Sequence, residues 1–114
     1  MQTYVFDIDG TLCNYTNGDY EKAVPITSRI EIVNQFYLTG NQIIIFTARG
    51  MGTFDNNIDL AIAKWYSFTV DQLNRWAVQY HKLYFGKPAG DFYIDDKAWN
   101  DKSFFDFAIK NTKF

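Results

Sequence analysis

Apolar residues fall in two kinds of pattern along this chain. Short unbroken runs occur at Thr3-Tyr4-Val5-Phe6-Asp7-Ile8, Ile43-Ile44-Ile45-Phe46, Leu83-Tyr84-Phe85 and Phe92-Tyr93-Ile94. They are rich in β-branched and aromatic residues, which predicts four strands; the unalternating second run fits a strand covered on both faces. Between the runs the spacing becomes helical. Ser28 and Glu31 make a capping-box pattern, Ile30, Val33, Phe36 and Tyr37 follow at helical intervals, and Gly40 is a stop signal. Ile58, Ala61, Ile62 and Trp65 predict one face of a short helix after Gly50 and Gly52, which suggest a mobile entry. Thr69 and Gln72 predict the cap of another helix, striped by Leu73, Trp76, Ala77 and Tyr80, and a last helix is expected within residues 101–110. Residues 10–25 carry Gly10, Asn14, Asn17, Gly18, Asp19 and Pro25, so they read as a long turn or short hairpin.

Strands alternating with helices predict a parallel α/β sandwich with right-handed crossovers. In such sheets a ligand sits beyond the carboxyl ends of the strands. The 114 residues make a single domain over residues 1–114, with no repeat or linker.

Composition narrows the function classes. Eleven Lys and Arg against 13 Asp and Glu give a formal charge of -2, with no basic excess for broad nucleic-acid or membrane binding. The lone cysteine, Cys13, rules out an internal disulfide and a Cys-cluster zinc site. No apolar run approaches the ~20 residues of a membrane helix, and Met1-Gln2-Thr3-Tyr4 does not begin a signal peptide, so the cytosol is the expected location. Aromatics make up 19% of the chain; they read as filling a small core or a subunit interface rather than as a base-stacking platform, since no basic stripe accompanies them.

The strand ends carry the chemistry. The first run ends in Asp7-Ile8-Asp9-Gly10-Thr11, the second in Thr47-Ala48-Arg49, and the fourth in Asp95-Asp96, while Gly86-Lys87-Pro88 follows the third. Four carboxylates then face two cations, Lys87 and Arg49. Two like charges 4 Å apart repel by roughly 4 kcal/mol at an effective dielectric of 20. A hard divalent ion relieves that excess, and all-oxygen ligands select magnesium over zinc. A carboxylate can then attack phosphorus, a second can move the proton of the leaving oxygen, and a hydroxyl, amides and an ammonium can hold the phosphoryl oxygens.

Phe6-Asp7-Ile8-Asp9-Gly10-Thr11-Leu12 resembles the DxDGT first motif of the haloacid dehalogenase superfamily. Ile45-Phe46-Thr47-Ala48-Arg49, Gly86-Lys87-Pro88 and Ile94-Asp95-Asp96-Lys97 resemble its second, third and fourth motifs, in the expected order over residues 5 to 97. The resemblance implies a three-layer Rossmann-like sandwich with a mainly parallel sheet. It implies Asp7 as nucleophile and magnesium ligand, and Asp9 as general acid/base with its backbone carbonyl on magnesium. Thr47 and the Ala48 amide would bind the phosphoryl group, Lys87 would stabilise nucleophile and phosphoryl oxygens, and Asp95, supported by Asp96, would bind magnesium. Arg49 is outside the general motif and is read here as a substrate contact. An acid two residues after the nucleophile favours phosphate esters over the superfamily's dehalogenase and phosphonatase reactions. With about 35 residues between Thr11 and Thr47, and 39 between Thr47 and Lys87, neither insert holds a cap domain, so the site is open unless a partner subunit or the loop after Arg49 covers it. A looser resemblance, over Gln72 to Ala98, is to small phosphatases of capsule and surface-polysaccharide biosynthesis; it points to a phosphorylated sugar or similar small metabolite.

The expected activity is thus magnesium-dependent hydrolysis of a small phosphomonoester through an aspartyl phosphate. A receiver-like phospho-acceptor module is the main alternative, but it has its acidic pair on the first strand and its acceptor in mid-chain. A phosphotransferase or mutase keeps the same chemistry with another acceptor, and a scaffold that only binds a phosphoprotein is the inert reading. His81 reads as a surface or helix-end residue, Cys13 as a small buried one, and Trp65 and Trp76 as core. Trp99 stays open between core and substrate platform. Asp55, Asn56 and Asn57 read as a solvated loop or cap ahead of a helix. Nucleic-acid and membrane partners are not expected, and self-association is compatible with the aromatic load and missing cap.

Overall fold

The computed structural model describes residues 1–112. Strand β1 spans Thr3–Phe6, β2 Gln42–Thr47 and β3 Lys82–Phe85; helices α1, α2 and α3 span Thr27–Leu38, Ile58–Arg75 and Asp101–Asn111. The strands form one sheet in the order β1-β2-β3, every pair parallel, with Phe6 opposite Ile45 and Thr47 opposite Phe85. The α/β class and the parallel sheet therefore stand as expected.

The layering differs from the expected three-layer sandwich. Two successive crossovers in one direction put their helices on one face of the sheet. Tyr4, Phe6, Ile43, Ile45 and Leu83 point to that face and belong to or pack against the core. Phe36 of α1 meets Tyr4, Tyr66 of α2 meets Phe85, and Phe104 of α3 meets both Tyr4 and Phe6. The opposite face carries Val5, Ile44, Phe46 and Tyr84. Val5 is 58% exposed and Tyr84 48%, while Ile44 and Phe46 are half-buried. Among the described residues no helix meets this second face. The unalternating run in β2 thus reflects an apolar sheet with a single helical layer.

The expected fourth strand, Phe92–Ile94, is not formed. Among the described residues these have no ladder partner, and β1 keeps a free edge. The two helices expected over residues 58–80 are one. Asn57 caps α2 by accepting from the Leu60 amide at 3.1 Å, and the helix runs through Thr69, whose hydroxyl is buried rather than at a cap. Helix α1 starts at Thr27 without a side-chain cap, so the Ser28–Glu31 pattern is not used as one.

Both long helices end in the same closing motif. After α1 the amide of Gly40 donates to the Tyr37 carbonyl and that of Asn41 to Phe36, with Gly40 at φ 95°. After α2 the amide of Ala77 donates to Asn74 and that of Val78 to Leu73, with Ala77 at φ 58°. A residue with a Cβ stands where glycine is favoured, so the sequence carries no stop signal there and the apolar stripe runs on to Tyr80. His81 joins β2 to β3: its Nδ1 accepts from the Ile43 amide at 3.0 Å and its ring stacks on Tyr37. It lies at the amino ends of the strands, as a structural residue. No helix among the described residues is long and apolar enough to cross a membrane.

Candidate functional site

Parallel strands deliver the residues that follow them to one end of the sheet. β1 brings Asp7 and Asp9, β2 brings Ala48 and Arg49, and β3 brings Lys87. The Lys87 amide donates to the Thr47 carbonyl at 3.2 Å, which extends the β2–β3 pairing to the site. Beyond these ends lies a cavity of about 470 Å³ whose walls include Asp7, Asp9, Tyr15, Ala48, Lys87 and Tyr93.

Asp7 opens onto this cavity with its side chain 31% exposed, and the Lys87 ammonium stands 3.8 Å from its carboxylate. Burial pushes the Asp7 carboxyl above its usual range; Lys87 and the Ile8 amide oppose this without cancelling it. The Lys87 ammonium also lies 4.3 Å from the centre of the Tyr93 ring, which limits where it can swing.

Asp9 is held differently. Arg49 Nε donates to one of its carboxylate oxygens at 2.9 Å and Nη2 to the other at 3.1 Å. The guanidinium is fixed in turn: Nη1 donates to the Thr69 hydroxyl at 3.2 Å, and the group stacks on Tyr20 at 4.7 Å. Arg49 is 1% exposed. Its guanidinium is engaged with Asp9, Thr69 and Tyr20, while the residue also lines the cavity. The planar fork of arginine suits this bidentate pairing, and α2 supplies Thr69 only because it is continuous through that residue.

Thr47 is brought to the right strand end but is fully buried. Its hydroxyl oxygen accepts from the Arg49 amide at 3.1 Å, and Ala48 forms the cavity wall above it. Gly50 is packed rather than open. Its amide donates to the Tyr20 hydroxyl, and a Cβ there would meet Ala61 and Trp65 at 3.0 Å. The turn before α2 supports the Lys87 loop, since Asn56 Oδ1 accepts from the Ala89 amide at 3.0 Å.

Asp95 and Asp96 do not join the others. Both are exposed, on the segment that forms no strand, and Asp95 Oδ1 accepts from the Lys97 amide instead. That bond and one from Asp96 hold the Asp95 carboxyl below its usual range. Among the described residues no three His, Cys, Asp or Glu side chains gather where an ion could sit. The expected four-acid arrangement is therefore not assembled by one chain, because its fourth strand is not seated beside β1. Asp7 itself fits a hard cation: it is a desolvated carboxylate on a cavity wall, with only a distant ammonium beside it. The Asp9 side chain is taken by Arg49.

Two groups were not legible in the sequence. Tyr20 and Thr69 lock Arg49, yet nothing in their local patterns marks them; their role follows from contacts with partners far away in the sequence. Cys13 is buried, with its thiol pushed up to about 12 by desolvation and by Asp9, so it is inert as expected. Trp99 is exposed and edges onto Phe104, away from the cavity walls.

Comparison with known proteins gives one informative likeness. No family model and no curated protein matches the chain. The chain is similar to the crystal structure of a structural-genomics target from Vibrio cholerae, at 28% identity and a TM-score of 0.84. The match covers 99% of this chain and 100% of that one.

Proposed function

We propose that the protein is a magnesium-dependent phosphomonoesterase of the haloacid dehalogenase kind, acting on a small phosphorylated metabolite, with a sugar phosphate as the favoured class. The observation that carries this reading is the pairing of two carboxylates with opposite surroundings at one strand end. Asp7 is open to the cavity and short of counter-charge, while Asp9, two residues on, is clamped by a buried arginine. A nucleophile must reach the phosphorus; a proton carrier must stay oriented while the leaving group departs.

Asp7 attacks phosphorus and the ester oxygen leaves, giving an aspartyl phosphate. Asp9, turned out of its two-point Arg49 grip, hands a proton to that oxygen, then takes one from the water that opens the acyl phosphate. Lys87 and the Ala48 amide hold the phosphoryl oxygens. Thr47 acts from beneath, by shaping the Ala48–Arg49 turn. Magnesium, which the Asp7 carboxylate would hold, would offset the negative charge that Asp7 and the phosphate bring together. A phosphotransferase would follow the same first half and differ only in the acceptor.

The test is release of inorganic phosphate from sugar phosphates, nucleotides and polyol phosphates, with magnesium and with chelator. Turnover is expected with magnesium alone and lost in Asp7→Asn. Unchanged turnover in Asp7→Asn removes Asp7 as nucleophile, and transfer to an added sugar in place of water makes the enzyme a phosphotransferase.

A further inference from the structure

Two unsatisfied features stand in the same chain. The outer edge of β1 has no partner among the described residues, and neither lysine nor proline guards residues 3–6 against pairing. The segment Phe92-Tyr93-Ile94 has strand composition but no strand to pair with; Phe92 is 86% exposed and Ile94 97%. Large apolar groups so exposed mark an interaction site.

The segment cannot reach the β1 edge of its own chain as a parallel strand. A parallel connection needs about a dozen residues or more. Only residues 86–91 lie between the end of β3 and Phe92. Several of these are pinned at the carboxyl end of the sheet. The Lys87 amide is bound to Thr47 and the Ala89 amide to Asn56, while the Tyr93 hydroxyl donates to the Pro88 carbonyl at 2.6 Å and accepts from the Gly90 amide at 3.1 Å. On the other side α3 is tied to its own body, with Asp101 paired to Arg29 at 2.7 Å. Residues 86–100 therefore form an arm anchored at both ends, with its apolar centre turned outward. A second copy has no such limit on connection length. One arm and one edge per chain also match the self-complementary requirement of a two-fold pair.

We propose that two copies exchange these arms. Phe92–Ile94 of one copy adds as a parallel strand to the β1 edge of the other, with Tyr93 beside Val5. This carries Asp95 and Asp96 of the first copy to the carboxyl end of the second copy's β1, beside its Asp7 and Asp9. Each site is then built from two chains. The assignment of that site's chemistry rests on the phosphatase reading above; the exchange itself does not.

Two experiments on the full-length protein separate the two. Val5→Cys and Tyr93→Cys chains, mixed and mildly oxidised, should give a covalent heterodimer on a non-reducing gel. The double variant should give dimers linked between chains. A double variant that closes only within one chain, or forms no disulfide, overturns the exchange. The second experiment mixes Asp7→Asn with Asp95→Asn. Each is inactive alone, but a mixed pair holds one intact site. Random exchange should restore about a quarter of wild-type phosphate release. No recovery from chains that cross-link between copies overturns the delivery of Asp95. Cross-linking between the cysteine variants together with a wild type that releases no phosphate would sink the phosphatase reading and leave the exchange standing.

Discussion

Arg49 grips both carboxylate oxygens of Asp9, at 2.9 and 3.1 Å, from 40 residues away in the chain, with its guanidinium stacked on Tyr20 and bonded to Thr69. The pair joins the loop after β1 to the loop after β2, and through Thr69 to α2. It is an ion pair with one partner buried and the other nearly so.

Removing one member of such a pair leaves a desolvated charge. Arg49→Met should therefore lower stability by about 3–5 kcal/mol in urea unfolding. Asp9→Asn alone should also destabilise, and the double variant should lose much less than the sum of the two. Additive losses would show that the two side chains do not act as a unit.

Asp7 should behave in the opposite sense. Its folded carboxyl lies above the ordinary value of 3.8, so the folded state holds the proton more tightly than the unfolded chain does. Ionisation then costs stability, and the wild type recovers it as pH falls through the folded pKa toward 3.8. Asp7→Asn, which cannot ionise, should unfold at a temperature no lower than wild type at pH 7. Any advantage should shrink as pH is lowered. A variant clearly less stable at neutral pH, with the gap widening toward acid, would contradict the desolvated state of Asp7.

Cys13 gives an independent reading of burial at the first loop. With its thiol pushed up to about 12, the thiolate at pH 8 is about one part in ten thousand. Iodoacetamide should leave the folded protein untouched over hours and label it once urea unfolds it. Stability should also fall as pH rises from 9 toward 12, because only the unfolded chain loses the proton in that window. Rapid labelling of the native protein would mean that the first loop opens readily.

The helix ends make a matched comparison. Ala77 holds φ 58° where Gly40 holds φ 95° in the same motif. Ala77→Gly should stabilise the protein by about 1 kcal/mol, and Gly40→Ala should destabilise it by a similar amount, both read as shifts in thermal midpoint. The Cβ of a residue at position 40 meets nothing within 4 Å, so the second effect is one of backbone strain alone.

Some of this architecture was readable from local patterns, because those patterns are themselves the physical cause. Runs such as Thr3–Phe6 and Ile43–Phe46 make strands wherever they are buried, and alternation with helices makes them parallel. The step from β1 to Asp7, and from β3 to Lys87, is short, so these groups reach the same sheet end whatever the rest of the chain does. Tertiary structure decided the remainder. That the Arg49 guanidinium is locked onto Asp9 depends on Tyr20 and Thr69, which are distant in sequence. Whether Phe92–Ile94 becomes a strand depends on a free edge within reach, and a six-residue connection withholds the one on its own chain. Local propensity specifies an element; only the geometry of the assembled chain supplies its partner.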